Sequence, residues 1–337
     1  MGSNNLKVPY PIFDLKVKDS LKKEASGGNY NKWKIKYDNR WIWIKAGSDF
    51  MGSYAHEGVM EVVASNLAKE LGINDVTEYF PCVLHIKELN GEFTNSIGCY
   101  SYDFTEENEE VVSFDDLKVS SGFYNADIRN IAEITDISED EIRDYVDRCL
   151  LIDSLVLNTD RHYGNLAVIK NKVTGKYRLC PVFDFGLALG GLSYTSVEEK
   201  AFSDYELSNY RAKPYSNSHD AQLDLTRYKD NIDGRIETIH MDEGANWGKV
   251  VKVIDRMFGC FGIGYLDNWT QGAMNLADTC RSMYCLQTPL TKGDRYYIIS
   301  TIKRRMEVIL LGKAMPYSMC QDKIDKEIEM LECMRYK

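Results

Sequence analysis

No stretch of this sequence reaches 18 consecutive apolar residues, so it offers no ordinary membrane-spanning helix. It has no C-x-x-C pair, and its nine cysteines are odd in number and widely spaced. That pattern argues against both a disulfide framework and a zinc site. A reducing, cytoplasmic setting is expected, with most thiols acting as small core residues. An excess of basic residues is also missing, and the formal net charge is −10. Nucleic acid and anionic membrane surfaces are therefore not expected as partners, although Lys303, Arg304 and Arg305 form a local basic cluster. Met1–Leu6 lacks the apolar core of a signal peptide, and Leu6 stands where a myristoylation pattern needs Ser or Thr. Secretion as an effector thus has no readable signal. Internal repeats and low-complexity tracts are absent as well.

What is present is a chain of 337 residues with 44% hydrophobic content, larger than a single core comfortably supports. Two lobes are expected. Ser26-Gly27-Gly28-Asn29 marks a turn. Trp33–Tyr37 and Arg40–Lys45 then alternate as the strands of a hairpin around Asp38-Asn39, with Lys45 at its end. From Tyr54 to Leu71 the period becomes helical, and Gly72 is placed to stop it. Strand-like runs follow at Thr77–Ile86 and Ser96–Tyr102 around the Asn90-Gly91 turn. Thr105–Glu110 is acidic and polar, suited to a connection between lobes. Residues 1–103 thus read as a small strand-rich lobe with one helix, and 104–337 as a larger, mainly helical lobe. In the second lobe, Ser138-Glu139-Asp140-Glu141 is a capping box opening a helix through Leu157. A hairpin is expected around Thr174-Gly175, and later helices at Asn246–Met257, Gly272–Met283, Asp294–Leu311 and from Cys320.

Two short acidic motifs carry the chemistry. Asp160-Arg161-His162-Tyr163-Gly164-Asn165 follows the capped helix, and Asp184-Phe185-Gly186 follows the hairpin. Phosphoryl transfer depends on positioning and charge neutralisation, so it needs a carboxylate for the attacking hydroxyl, oxygen ligands for Mg²⁺ and a cation on the phosphates. Asp160 and Asn165 can face a hydroxyl and a metal from one loop, and Asp184 can supply a further metal oxygen. Turn residues of these types are common singly, but their joint order after a helix and a hairpin favours function. Upstream, Lys45 precedes Glu61 by 16 residues. A lysine held by a helix glutamate suits ATP phosphates, with Glu57 a competing partner one turn earlier. Gly27 and Gly28 could let backbone approach phosphate, or form a plain flexible turn. His162 either braces its loop or assists proton transfer, and bracing is favoured because Asp160 fills the base role. Trp33, Trp41 and Trp43 read as sheet packing. Tyr100, Ser101 and Tyr102 fall where a hinge would meet adenine through its backbone.

These segments resemble HipA-like serine/threonine kinases. The likeness runs through Leu151–Asn165 and Leu179–Gly186, where Pro181 stands three residues ahead of Asp184, and through Glu61-Val62-Val63-Ala64 with Leu71-Gly72. It implies a two-lobed, protein-kinase-like α+β fold that uses ATP and Mg²⁺ and a protein substrate. It also implies Asp160 as catalytic base, Asn165 and Asp184 as Mg²⁺ ligands and Lys45 on the ATP phosphates. HipA-type loops can carry an autophosphorylated serine, and Ser26 stands at that position. The chain is expected to be too short for the extra N-terminal subdomain of bacterial HipA toxins, which leaves an antitoxin-like partner and tethering to DNA open. Phosphatidylinositol kinases share D-R-H-x-x-N and D-F-G, but Pro181 and the lack of a basic amphipathic segment favour the HipA-like reading. A nucleotide-binding pseudokinase scaffold is the other alternative, and the complete set of acids argues against it.

Overall fold

The computed structural model describes residues 10–21, 30–50, 53–54, 57–188, 213–215, 298 and 301–302. The expected first hairpin forms from β2 (Tyr30–Tyr37) and β3 (Arg40–Phe50), after a short β1 (Ile12–Lys16). Its two-residue turn has Asp38 at φ 52° and Asn39 at φ 63°. A type I′ turn needs positive φ at both positions, and Asp and Asn tolerate it best after glycine. Lys45, expected at the end of this hairpin, instead lies inside β3, paired with Lys32 on one side and Cys99 on the other. The strand continues because it pairs beyond Lys45 with β4 (Ser53–Tyr54). Tyr54 therefore belongs to a strand, and α1 spans Glu57–Glu70.

Gly72 ends α1 as expected, at φ 74°. Its N–H donates to Lys69 O at 3.0 Å, and Ile73 N–H donates to Ala68 O at 2.9 Å. This is a Schellman stop, which only a left-handed residue such as glycine allows cheaply. The next hairpin joins β5 (Phe80–Lys87) to β6 (Phe93–Tyr102), with Gly91 at φ 91°.

The sheet order is β1-β5-β6-β3-β2, with β1 parallel to β5 and the other pairs antiparallel. Its two edges meet. Trp33 Nε1 donates to Lys16 O at 2.9 Å, and the rings of Phe13 and Tyr37 touch edge-on at 5.2 Å. The curl encloses Phe13, Leu15, Trp33, Ile42, Ile44, Leu84 and Ile86. On the other face Val83, Ile97 and Cys99 pack with Val59, Val62 and Val63 of α1.

Helix and sheet come close where Gly58 of α1 faces the backbone of β6, and Gly98 of β6 is itself crowded by its neighbours in the sheet. A Cβ on Gly58 would lie 2.8 Å from Gly98 C, and one on Gly98 would lie 2.5 Å from Leu84 Cδ1. Gly58→Ala should therefore lower stability by about 1–3 kcal/mol from overpacking, less the ~1 kcal/mol that alanine gains in a helix. Thermal denaturation followed by circular dichroism measures it.

Beyond Tyr102 the chain forms β7 (Glu109–Ser113), which takes up only the last two residues of the expected Thr105–Glu110 connection. It pairs with β8 (Ala167–Asn171), which pairs with β9 (Tyr177–Leu179) around Gly175 at φ 71°. Helix α3 (Glu139–Val156) meets this sheet where Ala167 N donates to Tyr145 OH at 3.1 Å, and α2 (Tyr124–Thr135), a helix not expected from the sequence, packs on α3. Helix α3 has the expected capping box between Ser138 and Glu141. The main core unites α1, α2, α3 and β8 with Ile298 and Ile302. Those two residues and Thr301 are helical and buried, within the expected Asp294–Leu311 helix. The other late helices and the Ser26-Gly27-Gly28 turn lie outside the described residues. Cys82, Cys99, Cys149 and Cys180 are buried free thiols. Among the described residues no helix is long and apolar enough to cross a membrane.

Candidate active site

The side chains of α1, β3 and the segment after β9 converge on one ammonium group. Lys45 Nζ lies 2.6 Å from Glu61 Oε1 and 2.9 Å from Asp184 Oδ1. It also donates to the Tyr79 hydroxyl at 3.2 Å. The second oxygen of Glu61 accepts from Phe185 N at 2.8 Å, so one glutamate joins the helix, the strand and the Asp184 segment. Glu57 is buried a turn earlier. A Cβ on Gly186 would lie 3.3 Å from Glu57 Cβ, which shows how closely that segment passes α1. Burial opposes the charge on Lys45, yet Asp184 and Glu61 hold its ammonium well above the usual lysine value. Burial likewise opposes ionisation of Asp184, but Lys45, then Lys32 and Arg161, hold that carboxyl far below its ordinary range. For Glu61 burial dominates and raises the carboxyl, against the pull of Lys45.

Asp184 sits at φ 68°, a left-handed conformation that a non-glycine residue keeps only when its surroundings fix it. Here they do. Asp184 N donates to Tyr79 OH at 3.3 Å, and its carbonyl accepts from Asn158 Nδ2 at 3.3 Å. The loop of Asp160 shares this scaffold, because Asn158 Oδ1 accepts from Asp160 N at 3.3 Å. Arg161 is wholly buried and grips Asp153 through both carboxylate oxygens, at 2.7 and 3.0 Å. Its Nη1 donates to Asn165 O at 3.0 Å and to Phe183 O at 2.6 Å. Two side chains, Asn158 and Arg161, thus tie both acidic motifs together. Tyr163 OH donates to the buried Asp127 at 2.9 Å, which fastens the same loop to α2.

The sequence-predicted residues do not all meet. Lys45, Glu61 and Asp184 are in direct contact. Asp160 is exposed and Asn165 half-buried, with their backbones held by Asn158 and Arg161. His162 is exposed, and its Nδ1 accepts from Gly164 N at 3.0 Å. Tyr100 and Tyr102 turn their rings toward the curled interior of the sheet, while Ser101 pairs with Trp43 on β3. Ser101 and Tyr102 run past Phe80, where β5 begins. Trp33 is inside the curl, but Trp41 and Trp43 are on the opposite face with Lys34 over both rings. Ser26, Gly27 and Gly28 lie outside the described residues. Sequence reasoning assigned no part to Tyr79, Asp153, Asn158 or Arg161. Only Asp153 left a trace, as an acid inside the apolar run Leu150–Val156.

No family model matches the chain. Over 205 residues it is 26% identical to the serine/threonine-protein kinase CtkA of Helicobacter pylori strain J99, a match covering 56% of this chain and 59% of that protein. It thus spans under two thirds of the length of this curated relative. The crystal structure of the H. pylori proinflammatory kinase CtkA aligns with a TM-score of 0.50 at 18% identity, covering 90% of this chain and 99% of that one. A likeness to the Golgi casein kinase is slighter, at TM-score 0.39 and 12% identity over 90% of this chain and 72% of that one. The expected resemblance to HipA-like kinases is borne out in the relative CtkA, and the chain has the two-lobed, protein-kinase-like α+β fold that the resemblance implied.

Proposed function

We propose that the chain is a serine/threonine protein kinase that transfers the terminal phosphoryl group of ATP in a Mg²⁺-dependent reaction. The observation that carries this reading is Lys45 bound at once to Glu61 and to Asp184. An ammonium braced by a helix glutamate, beside an ionised aspartate, is the electrostatic core of a phosphoryl-transfer site. The donor set also suits the implied ion. Asp184 and Asn165 would hold Mg²⁺ through oxygen atoms, and this ion characteristically takes one or two carboxylates and completes its shell with phosphates and water. When bound, Mg²⁺ neutralises phosphate charge.

The chain's own residues do the rest. Lys45 would take phosphate oxygens, and Asp160, exposed at the loop, would accept the proton of the attacking hydroxyl. Its separation from the Lys45 cluster is set by the Asn158 and Arg161 bonds. His162 would brace the loop through Gly164. The run past Phe80 suits a hinge at Ser101-Tyr102, with the boundary between lobes near residue 103. Gly27 and Gly28 would cover the phosphates, and Ser26 is the candidate for autophosphorylation.

The test is incubation with γ-labelled ATP and Mg²⁺, with casein and myelin basic protein in one arm and phosphoinositide vesicles in another. Label on serine or threonine of protein is expected. Label confined to lipid would reassign the chain to the phosphatidylinositol kinases, and nucleotide binding with no transfer would make it a scaffold.

A further inference from the structure

We infer that Tyr79 is a positioning residue for this reaction, its hydroxyl oxygen fixing the Lys45 ammonium and the Asp184 backbone to each other. The inference rests on the kinase reading above. Tyr79 lies between α1 and β5 and is 3% exposed. Its oxygen accepts from Lys45 Nζ at 3.2 Å and from Asp184 N at 3.3 Å, while Nζ sits 5.0 Å from the ring centroid.

An ammonium has three N–H donors. Those of Lys45 go to Glu61, Asp184 and Tyr79, so all are engaged. To meet a phosphate oxygen, Lys45 must release one of these contacts. Asp184 is the partner with a second task, as a proposed metal ligand. Glu61 and Tyr79 then remain to hold Nζ in place. The same phenol oxygen supplies an acceptor for the N–H of a residue held at φ 68°, which aims the carboxylate.

The ring has its place without the hydroxyl. Tyr79 N donates to Ser65 Oγ of α1 at 3.3 Å. Two residues earlier, Thr77 N donates to Val182 O at 2.8 Å. The segment is therefore anchored both to α1 and to the chain leading into Asp184. Phenylalanine would fill the same space and lack only the oxygen.

Wild type and Tyr79→Phe should be compared by isothermal titration calorimetry with ADP, with and without Mg²⁺, alongside the melting temperature of the free proteins. Removing a hydrogen bond to a charged group is expected to weaken ADP binding in Mg²⁺ by about tenfold. The half-saturating Mg²⁺ concentration for phosphate transfer should rise, with melting within a few degrees of wild type. An unchanged dissociation constant overturns the inference and leaves the kinase reading standing. So does a variant melting more than about 10 °C lower, because the hydroxyl is then a structural group. A wild-type protein that binds no nucleotide overturns both.

Discussion

Arg161→Met should lower the unfolding free energy by about 3–5 kcal/mol, the cost of removing one partner from a buried ion pair. Arg161 and Asp153 are both wholly buried, and the substitution leaves a carboxylate whose remaining donor among the described residues is Asn158 Nδ2 at 2.8 Å. Two main-chain carbonyls, Asn165 and Phe183, lose their donor as well. Urea denaturation followed by circular dichroism would read the loss. Burial already raises the Asp153 carboxyl against the pull of Arg161, and without Arg161 it rises further. A folded-state value above the unfolded one adds stability at low pH and loses it as pH climbs. The deficit of the variant should therefore shrink as pH falls from 7 toward about 4, the ordinary carboxylate range. The double variant Arg161→Met, Asp153→Leu separates the two duties of the arginine. Replacing a whole buried pair with apolar groups is often near neutral, so much of the stability should return. Phosphate transfer should stay lost, since Asn165 O and Phe183 O do not regain the donor that joined the two motifs. Recovered transfer would show that the ion pair serves the fold alone.

What could be read from the sequence was local. Asp38-Asn39, Gly91 and Gly175 mark turns because their positive φ is a property of single residues. Ser138 and Glu141 cap α3 across three positions, and Gly72 stops α1 by its own conformation. Hidden features needed a distant partner. β1 is a strand because β5 lies beside it, and β7 because β8 does. Lys45 is mid-strand for the same reason, since β6 and β4 extend the pairing that the hairpin begins. Within the site, residue types that bear chemistry announced Lys45, Glu61 and Asp184. The motif already favoured Glu61 over Glu57, and Glu61 is the one that lies 2.6 Å from Lys45 Nζ. Tyr79 meets Asp184 across 105 positions, and no local pattern encodes that meeting. Asp153 and Arg161 are eight apart, close enough for the signal to exist. It lay in an acid set within the last turns of α3, where every residue from Tyr145 to Val156 is buried.

Asp160→Asn is the sharpest catalytic test, with kcat expected to fall by about 10²–10⁴, the range over which a positioned general base contributes. Asparagine keeps the size of the side chain and the backbone bond from residue 160 to Asn158 Oδ1, so the loop should retain its shape. Only the carboxylate is removed. Asp160 is exposed and supports no part of the buried Asp153–Arg161 scaffold, and melting should match wild type within a few degrees. ADP affinity should stay within about threefold, because the phosphate and metal groups assigned here are Lys45, Asn165 and Asp184. Single-turnover transfer, paired with calorimetric ADP binding, reads both quantities on one preparation. A variant that binds ADP normally and transfers phosphate at the wild-type rate would remove Asp160 from the base role. The contrast with Arg161→Met gives the result its force. That variant should lose stability and transfer together, whereas this one should lose transfer alone, and the difference separates a group that acts on the substrate hydroxyl from one that holds the acting groups in place.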